Sequence, residues 1–261
     1  MKSWLIVIVV LVLLIAGGAW VFGDRDGRLY KKTAKLLRPL LGSPVIGQQL
    51  SVSYNGNLLD LVDDKNWFWF QPEYVSFLEE GETFSLLSRA ENVWWKNWRG
   101  PFFYSYVRGD VDVSVRVSAR KASSPEDQLD RGYQFGGVML RDPMGQKVLS
   151  NENYVFNVVG YRGDALQVET KSTVGGWSDV QGHPWLSGDA ELRVLRVGGK
   201  FTLFARSIGE KEWKKLVEYD RPDLPEILQV GIIAYAYSAW SGEHDLRANF
   251  EHLELKLLDH K

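Results

Sequence analysis

From Asp110 to Arg120 the chain alternates strictly, with Val111, Val113, Val115, Val117 and Ala119 interleaved by Asp112, Ser114, Arg116, Ser118 and Arg120. A period of two places successive side chains on opposite faces of a strand, so this segment predicts a strand with one buried face. Comparable runs occur at Gly132 to Arg141, Asn153 to Tyr161, Ala165 to Ser172, Glu191 to Val197, Lys200 to Ser207, Trp213 to Tyr219, Leu228 to Tyr237 and Leu246 to Leu257. Weaker ones fit Trp67 to Phe70, Val75 to Leu78, Phe84 to Ser88 and Phe102 to Val107. Turn signals such as Asp142-Pro143, Arg162-Gly163-Asp164, Gly198-Gly199, Gly209-Glu210 and Ser241-Gly242 separate most of them. No helical stripe of similar strength follows residue 49, and no fixed-period repeat points to a propeller or solenoid. Strands at hairpin spacing predict an all-β antiparallel sandwich, a jelly roll occupying residues 49–258.

The N-terminal pattern is different. After a short tail of residues 1–3, Trp4 to Phe22 carries no charge, and its 19 positions match a hydrocarbon core of about 30 Å when helical. A transmembrane anchor is one reading. A cleaved signal peptide is the other, with Lys2 leading and Gly17-Gly18-Ala19 as the small-residue site. Both export the rest of the chain, and the anchor, the favoured reading, predicts a single-pass membrane protein with an extracytoplasmic domain. Arg25, Arg28, Lys31, Lys32, Lys35 and Arg38 follow the segment, and the positive-inside rule would hold that side in the cytoplasm. Residues 23–48 read as a juxtamembrane linker, with Leu29, Leu36, Leu37 and Leu40 on one face of a short helix that ends at Pro39 and Gly42-Ser43-Pro44.

Composition narrows the function classes. Lys+Arg 31 against Asp+Glu 33 gives a net charge of -2, which offers no counterion-release drive toward nucleic acid. Cys 0 excludes disulfides, thiolate catalysis and sulfur-ligated zinc. Trp 11 is the unusual count, because indoles are costly to expose without use.

A set of landmarks runs in order along the chain: Asn66-Trp67-Phe68-Trp69-Phe70-Gln71-Pro72-Glu73, Trp94-Trp95 before Gly100-Pro101-Phe102-Phe103-Tyr104, and Gly109-Asp110-Val111-Asp112-Val113. Gly136-Gly137-Val138-Met139-Leu140-Arg141-Asp142, Gly175-Gly176-Trp177-Ser178, Trp185-Leu186 with Leu192-Arg193-Val194, and Val230-Gly231-Ile232-Ile233-Ala234 complete it. From about Leu50 to Leu257 the chain resembles an uncharacterised bacterial family, described as regulation-of-enolase-like, in the concanavalin A-like lectin/glucanase superfamily. That resemblance implies the sandwich. It implies far less about activity, since such sandwiches host lectins, glucanases and adhesion modules.

Glucanases of the superfamily carry paired acidic residues on one strand, flanking the scissile bond. The nearest approach here is Glu218-Tyr219-Asp220 with Asp223, interrupted by Pro222; Glu243-His244-Asp245 lacks a third carboxylate. His183, His244, His252 and His260 stand in no acyl-transfer setting. No cofactor is expected. Calcium held by Asp110, Asp112 or Asp142 is the metal alternative to ordinary turn and strand-face aspartates. Gly136-Gly137 lies inside a strand pattern, so it reads as a bulge or a close sheet contact, not a phosphate loop.

The aromatic residues carry the functional expectation. Pyranose rings present apolar C–H faces that stack on indoles, while their hydroxyls pair with polar side chains. Trp94, Trp95, Trp98, Trp177 and Trp240 fall in predicted loops and are the expected stacking rings, with Arg141, Asn153 and Asp179 as hydrogen-bonding partners. Trp67, Trp69 and Trp185 lie in alternating apolar runs and belong to the core. The expectation is a membrane-tethered, non-catalytic module that binds carbohydrate or another surface ligand on the concave face or loop rim. Its alternatives are a glycan hydrolase or lyase with a non-standard acid pair, and a protein–protein scaffold.

Overall fold

The computed structural model describes residues 53–146, 151–238 and 244–258. The anchor at 4–22, the linker at 23–48 and Trp240 lie outside the described residues. Among the described residues no helix is long and apolar enough to cross a membrane.

Among the described residues fifteen strands form two antiparallel sheets. In chain order they are β1 Tyr54–Gly56, β2 Trp67–Phe70, β3 Val75–Glu80, β4 Thr83–Ser88, β5 Phe102–Arg108, β6 Val111–Lys121, β7 Tyr133–Arg141 and β8 Tyr154–Arg162. Then follow β9 Ala165–Val174, β10 Trp177–Pro184, β11 Asp189–Val197, β12 Lys200–Arg206, β13 Lys214–Asp220, β14 Ile227–Tyr237 and β15 Leu246–Leu257. The eight-stranded sheet runs β13-β12-β11-β6-β15-β4-β3, with β1 sharing the β4 side of β15. The seven-stranded sheet runs β10-β9-β8-β7-β14-β5-β2.

The inner faces of the two sheets make the main core. Val111, Val113, Val115, Val117 and Ala119 of β6 meet Val138 and Leu140 of β7, Val155 and Val159 of β8, and Leu228, Val230 and Ile232 of β14 in one apolar cluster. The alternation read from β6 therefore holds, with its polar set turned outward. There Arg193 pairs with Asp112, Arg120 with Asp189, and Arg116 and Arg206 with Glu191. One polar side chain enters the core for a reason: Asn157 of β8 donates to the Phe204 carbonyl at 2.7 Å, at the register shift between Leu203 and Phe204 of β12. A strand irregularity leaves ladder groups unpaired, and the carboxamide supplies one donor to them. Trp67 is buried in this core, and Trp69 and Trp185 pack against its edge, as their runs predict.

Two strands were not legible as such. β1 is only a three-residue piece. β10 takes in Trp177 and Asp179, which the sequence reading placed in a loop; it pairs residue by residue with β9 from Trp177 to Pro184. Its Gly, Pro and polar content suits an edge strand, which packs on one neighbour only.

Gly136 and Gly137 show close packing with no bulge, since β7 keeps its register with β8 throughout. A Cβ on Gly137 would overlap the Asn157 carbonyl oxygen and the Val158 Cα of the adjacent strand, backbone atoms that cannot turn aside. Gly137→Ala is accordingly expected to lower the unfolding free energy by about 3 kcal/mol or to abolish soluble folding. Urea denaturation measures it; a loss below about 1 kcal/mol would mean that β7 and β8 are not held this closely.

Candidate functional site

The outer face of the seven-stranded sheet is also apolar over much of its area. By strand parity it carries Phe68 and Phe70 of β2, Phe102, Tyr104 and Tyr106 of β5, Phe135 and Met139 of β7, Tyr154, Phe156 and Val158 of β8, and Ile233 and Tyr235 of β14. These side chains form a second hydrophobic cluster, separate from the sandwich core, together with Trp94. An apolar sheet face left open to water would be a large exposed patch, so something must cover it.

Residues 91–100 provide part of the cover as a strap between β4 and β5. The Trp94 ring inserts between Phe70, Phe102 and Tyr154, with centroid distances of 6.1, 6.2 and 5.6 Å, and is 0% exposed. Its Nε1 donates to the Pro101 carbonyl at 3.3 Å. Beyond Trp94 the strap makes a two-residue turn: Trp98 N donates to the Trp95 carbonyl at 2.8 Å, and Trp95 and Trp98 pair as an antiparallel bridge. Directly opposed residues of such a bridge project from the same side. The two indoles thus project from the same side of the turn, 39% and 60% exposed. Trp98 meets Tyr237 edge-on at 6.2 Å, and Tyr237 in turn lies 6.5 Å from Tyr133.

The turn residues are fixed by polar contacts. Lys96 holds a left-handed φ of 54°, a conformation that costs a non-glycine residue roughly 1 kcal/mol. Its amide donates to Ser178 Oγ at 3.0 Å, and its Nζ lies 5.2 Å from the centroid of Trp177, an indole 45% exposed. Asn97 accepts from the Glu152 amide at 3.0 Å.

Beneath the strap lie two charged clusters. Glu152 accepts from Arg141 Nε at 2.8 Å and Nη2 at 2.7 Å, and also pairs with Arg99. Arg141 Nη1 donates to Gln229 at 3.0 Å, and its guanidinium stacks 4.6 Å from Phe70 and 5.4 Å from Trp94. In the second cluster Glu169 accepts from Arg162 at 3.2 Å and Tyr235 at 3.3 Å, with Lys171 Nζ 3.4 Å away. Lys171 donates to the Trp94 carbonyl at 2.8 Å and sits in an aromatic box, 4.4 Å from Phe156, 5.1 Å from Trp95 and 5.9 Å from Tyr235. Burial pushes its ammonium down to about 8, against the opposing pull of Glu169. Burial likewise raises the Tyr235 hydroxyl, and Glu169 adds to that shift.

The expected site residues separate into two groups. Trp95, Trp98 and Trp177 are exposed around one strap, as a stacking surface requires. Trp94 is not: its ring is sealed against the sheet and cannot meet a ligand. Arg141 is equally sealed, spent on Glu152 and Gln229. Asn153 is buried as well, accepting from the Gly175 amide at 2.9 Å and from Arg221 in a knot with Asp223. Asp179 is exposed but opposes Ser172, on the face of β10 turned away from Lys171. Glu152, Arg162, Glu169 and Lys171 were missed by the sequence reading; the available signal was Glu169 and Lys171 two apart, on one face of a strand otherwise suited to burial.

Among the described residues the acidic candidates Glu218, Asp220, Asp223 and Asp245 form no paired-carboxylate site, and Glu243 lies outside the described residues. Glu218 is solvent-exposed, held below the usual carboxylate range by the Lys215 ammonium, while Tyr219 faces inward toward Thr170. Asp110 accepts from the Gly198 amide, Asp112 pairs with Arg193, and Asp142 accepts from the Met144 amide. Among the described residues no group of three or more His, Asp or Glu side chains is placed to hold a metal ion.

Similar folds occur among solved structures. A functionally unknown protein from Saccharomyces cerevisiae matches with a TM-score of 0.59 at 17% identity, over 75% of this chain and 98% of the other. Lectin I-B4 from Griffonia simplicifolia, in its metal-free form, gives 0.53 at 13% identity over 79% and 99%. A xylan beta-1,4-xylosidase from Bacillus halodurans gives 0.53 at 16% identity over 72% of this chain but only 36% of its own. The fold is therefore one shared by lectins and by part of such glycosidases. No family model matches the chain, and no curated protein matches it.

Two predictions test the layering. Trp94→Ala should cost about 3 to 5 kcal/mol of stability, whereas Trp98→Ala should cost under about 1 kcal/mol, because only the first empties a buried site. Urea midpoints of the two variants measure the contrast. The second concerns Lys171, faced by Glu169 on its own strand, Arg162 from β8 and Tyr235 from β14. Its folded pKa lies below its ordinary 10.5, so between about 8 and 10.5 the unfolded chain binds more protons and stability rises with pH. Buried tyrosines pull the opposite way only above about pH 10. Relative to Lys171→Met, the protein should gain about 2 kcal/mol between about pH 7.5 and 9.5 in urea titrations; a flat difference would contradict the burial of a titrating ammonium.

Proposed function

We propose that the protein is a membrane-tethered, non-catalytic module that binds carbohydrate through the indoles of the strap. The observation that carries the reading is the Trp95–Trp98 pair: two partly exposed rings displayed from one side of a strained turn that is itself clamped to the sheet. Indoles held without freedom to collapse onto the surface lose little entropy when a sugar ring stacks on them. Tyr237 meets Trp98, and Trp177 lies under the Lys96 ammonium, so a hydroxyl and a third ring border the same strap. A lectin shares the fold, which makes such a role compatible with the architecture without assigning it.

Binding is favoured over glycan cleavage by the state of the acids beneath. Glu152 is committed to two guanidinium groups, and Glu169 to Arg162, Lys171 and Tyr235. Neither stands open on a groove as an acid or nucleophile requires. The tether rests on Trp4 to Phe22, and the narrower regulation-of-enolase-like kinship rests on the ordered landmarks alone.

Glycan-array binding by the full chain in detergent micelles tests this reading. Trp98→Ala should reduce binding at least about tenfold, in line with a lost stacking ring worth roughly 1.5 kcal/mol, while the fold stays intact by circular dichroism. Unchanged array binding in a folded Trp95→Ala, Trp98→Ala double variant would remove the strap from the site.

A further inference from the structure

One flank of the sandwich is aromatic and open. Among the described residues the eight-stranded sheet ends on β3 and the seven-stranded sheet on β2, so each turns an unpaired backbone edge to this side. Val75 and Phe77 of β3 share the inward face by strand parity, and Trp69 of β2 stacks on Phe77 at 6.4 Å. Phe84 and Phe103 continue the row behind them, 6.1 Å from Phe77 and 4.7 Å from Trp69. Phe77 is nonetheless 48% exposed.

The flank is also acidic. From Trp67 to Ser88 the chain carries Glu73, Glu79, Glu80 and Glu82 and no Lys or Arg. Arg89 adjoins the Glu73 end, since its amide donates to the Tyr74 carbonyl, and leaves that end close to neutral. The β3–β4 turn at the other end is different. There Arg247 pairs with Glu80, while Glu251, which accepts from Thr83, shares Arg116 with Glu191. Lys65, ahead of β2, follows Asp63 and Asp64. Glu79 and Glu82 are the surplus, and Glu79 extends the inward row of Val75 and Phe77.

A segment of opposite charge enters the fold nearby. From Gly27 to Leu59 the chain carries Arg28, Lys31, Lys32, Lys35 and Arg38 and no acidic residue. It joins the sandwich at β1, on the β4 side of β15, where Ser53 accepts from the Leu257 amide at 2.9 Å. Phe77 pairs with Leu86 and Leu86 with Ala248, so the rise along β15 sets Ser53 about 30 Å from Phe77. The twelve residues from Gly42 to Ser53 can span about 40 Å when extended, which brings residues 29–41 within reach. As a helix those residues would measure about 20 Å, the length of β3.

We propose that residues 29–41 dock along the β2–β3 flank as a helix, with Leu29, Leu36 and Leu40 over Trp69 and Phe77 and basic residues toward Glu79 and Glu82. Apolar stripe, charge and reach all match this one occupant. The inference is independent of the glycan reading. On the tethered reading, residues 23–28 alone separate the docked helix from the anchor, which brings one end of the flank within about 20 Å of the bilayer. The linker then orients the sandwich as well as attaching it.

The chain has Cys 0, so an introduced pair reports one contact. Cysteines placed one at a time through residues 29–41 are each combined with Glu79→Cys in the full chain in detergent micelles and oxidised. A disulfide needs Cα atoms within about 7 Å, so a docked helix should give closure rates with a period of about 3.6 residues. Positions on the leucine face, Thr33→Cys among them, should close at least about tenfold faster than Ala34→Cys on the next face. Ile208→Cys, exposed between β12 and β13 at the opposite edge of the sheet, should close with none of them when it replaces Glu79→Cys. Glu82→Lys, on an exposed turn, should slow closure from Thr33→Cys at least about threefold and leave the urea midpoint unchanged.

A flat profile along residues 29–41, or no closure at all, identifies a solvated spacer and overturns the inference. Mixed chains, one carrying Thr33→Cys and the other Glu79→Cys, should form no crosslinked dimer; a dimer formed as fast as the intrachain bond would assign the flank to a second copy and overturn it. The periodic profile should persist when the chain is moved from zwitterionic to anionic nanodiscs. Its loss there would give the basic residues to lipid headgroups, with the same consequence. None of these outcomes alters glycan binding at the strap.

Discussion

The seven-stranded sheet is apolar over much of both faces, and that is the constraint from which the rest follows. One face is buried by the opposing sheet, as in any sandwich. The other presents Phe102, Tyr104, Phe135, Tyr154 and Phe156, rings that no second sheet covers. At roughly 25 cal/mol per Å² of apolar surface, leaving even a few such rings wet would cost several kcal/mol, comparable with the net stability of a domain. Trp94 and its strap cover part of this face, and the features proposed for binding are mounted on that cover.

Covering an apolar face with a loop creates a second difficulty, because a loop carries backbone groups that need partners. Lys171 answers it by donating to the Trp94 carbonyl, and Asn97, Ser178 and Ala236 take up other strap or neighbouring groups. An ammonium in that position must itself be compensated, which Glu169 and the faces of Phe156, Trp95 and Tyr235 do together. The chain of requirements runs from sheet to strap to buried charge. Removing one member leaves an uncompensated group in the next, so these residues act as a unit and not as a sum of contacts.

Where alternation was one-sided, the sequence was easy to read. β6 and β11 interleave apolar and charged residues, and their strands and faces follow directly. β5, with Phe102-Phe103-Tyr104-Ser105-Tyr106-Val107, and β14 show near-continuous apolar runs, the mark of a strand buried on both sides. That signal was present, but it does not say what provides the second cover. The neighbouring indoles of Trp94-Trp95 looked alike as loop residues; only the three-dimensional path of the strap turns one inward and the other toward solvent. Arg141 and Asn153 misled for a related reason, since a polar residue at a strand end is as suited to a buried network as to a ligand, and its partners Glu152 and Arg221 are distant in pattern though close in space.

The strap also bears on what the shared fold means. A sandwich of this kind is found in a lectin and in part of a xylosidase, at 13% and 16% identity, so its sheets alone specify neither ligand nor chemistry. In this chain part of the outer sheet face is occupied from within by Trp94, Arg141 and Lys171, groups fixed by burial and pairing. Whatever docks on this side must therefore meet the strap before it meets the sheet there. On the proposed reading, recognition falls to the strap, while the strands beneath need only remain rigid. Such a division lets the contact surface change by substitution at Lys96 or Trp98 without disturbing the layers that hold it in place.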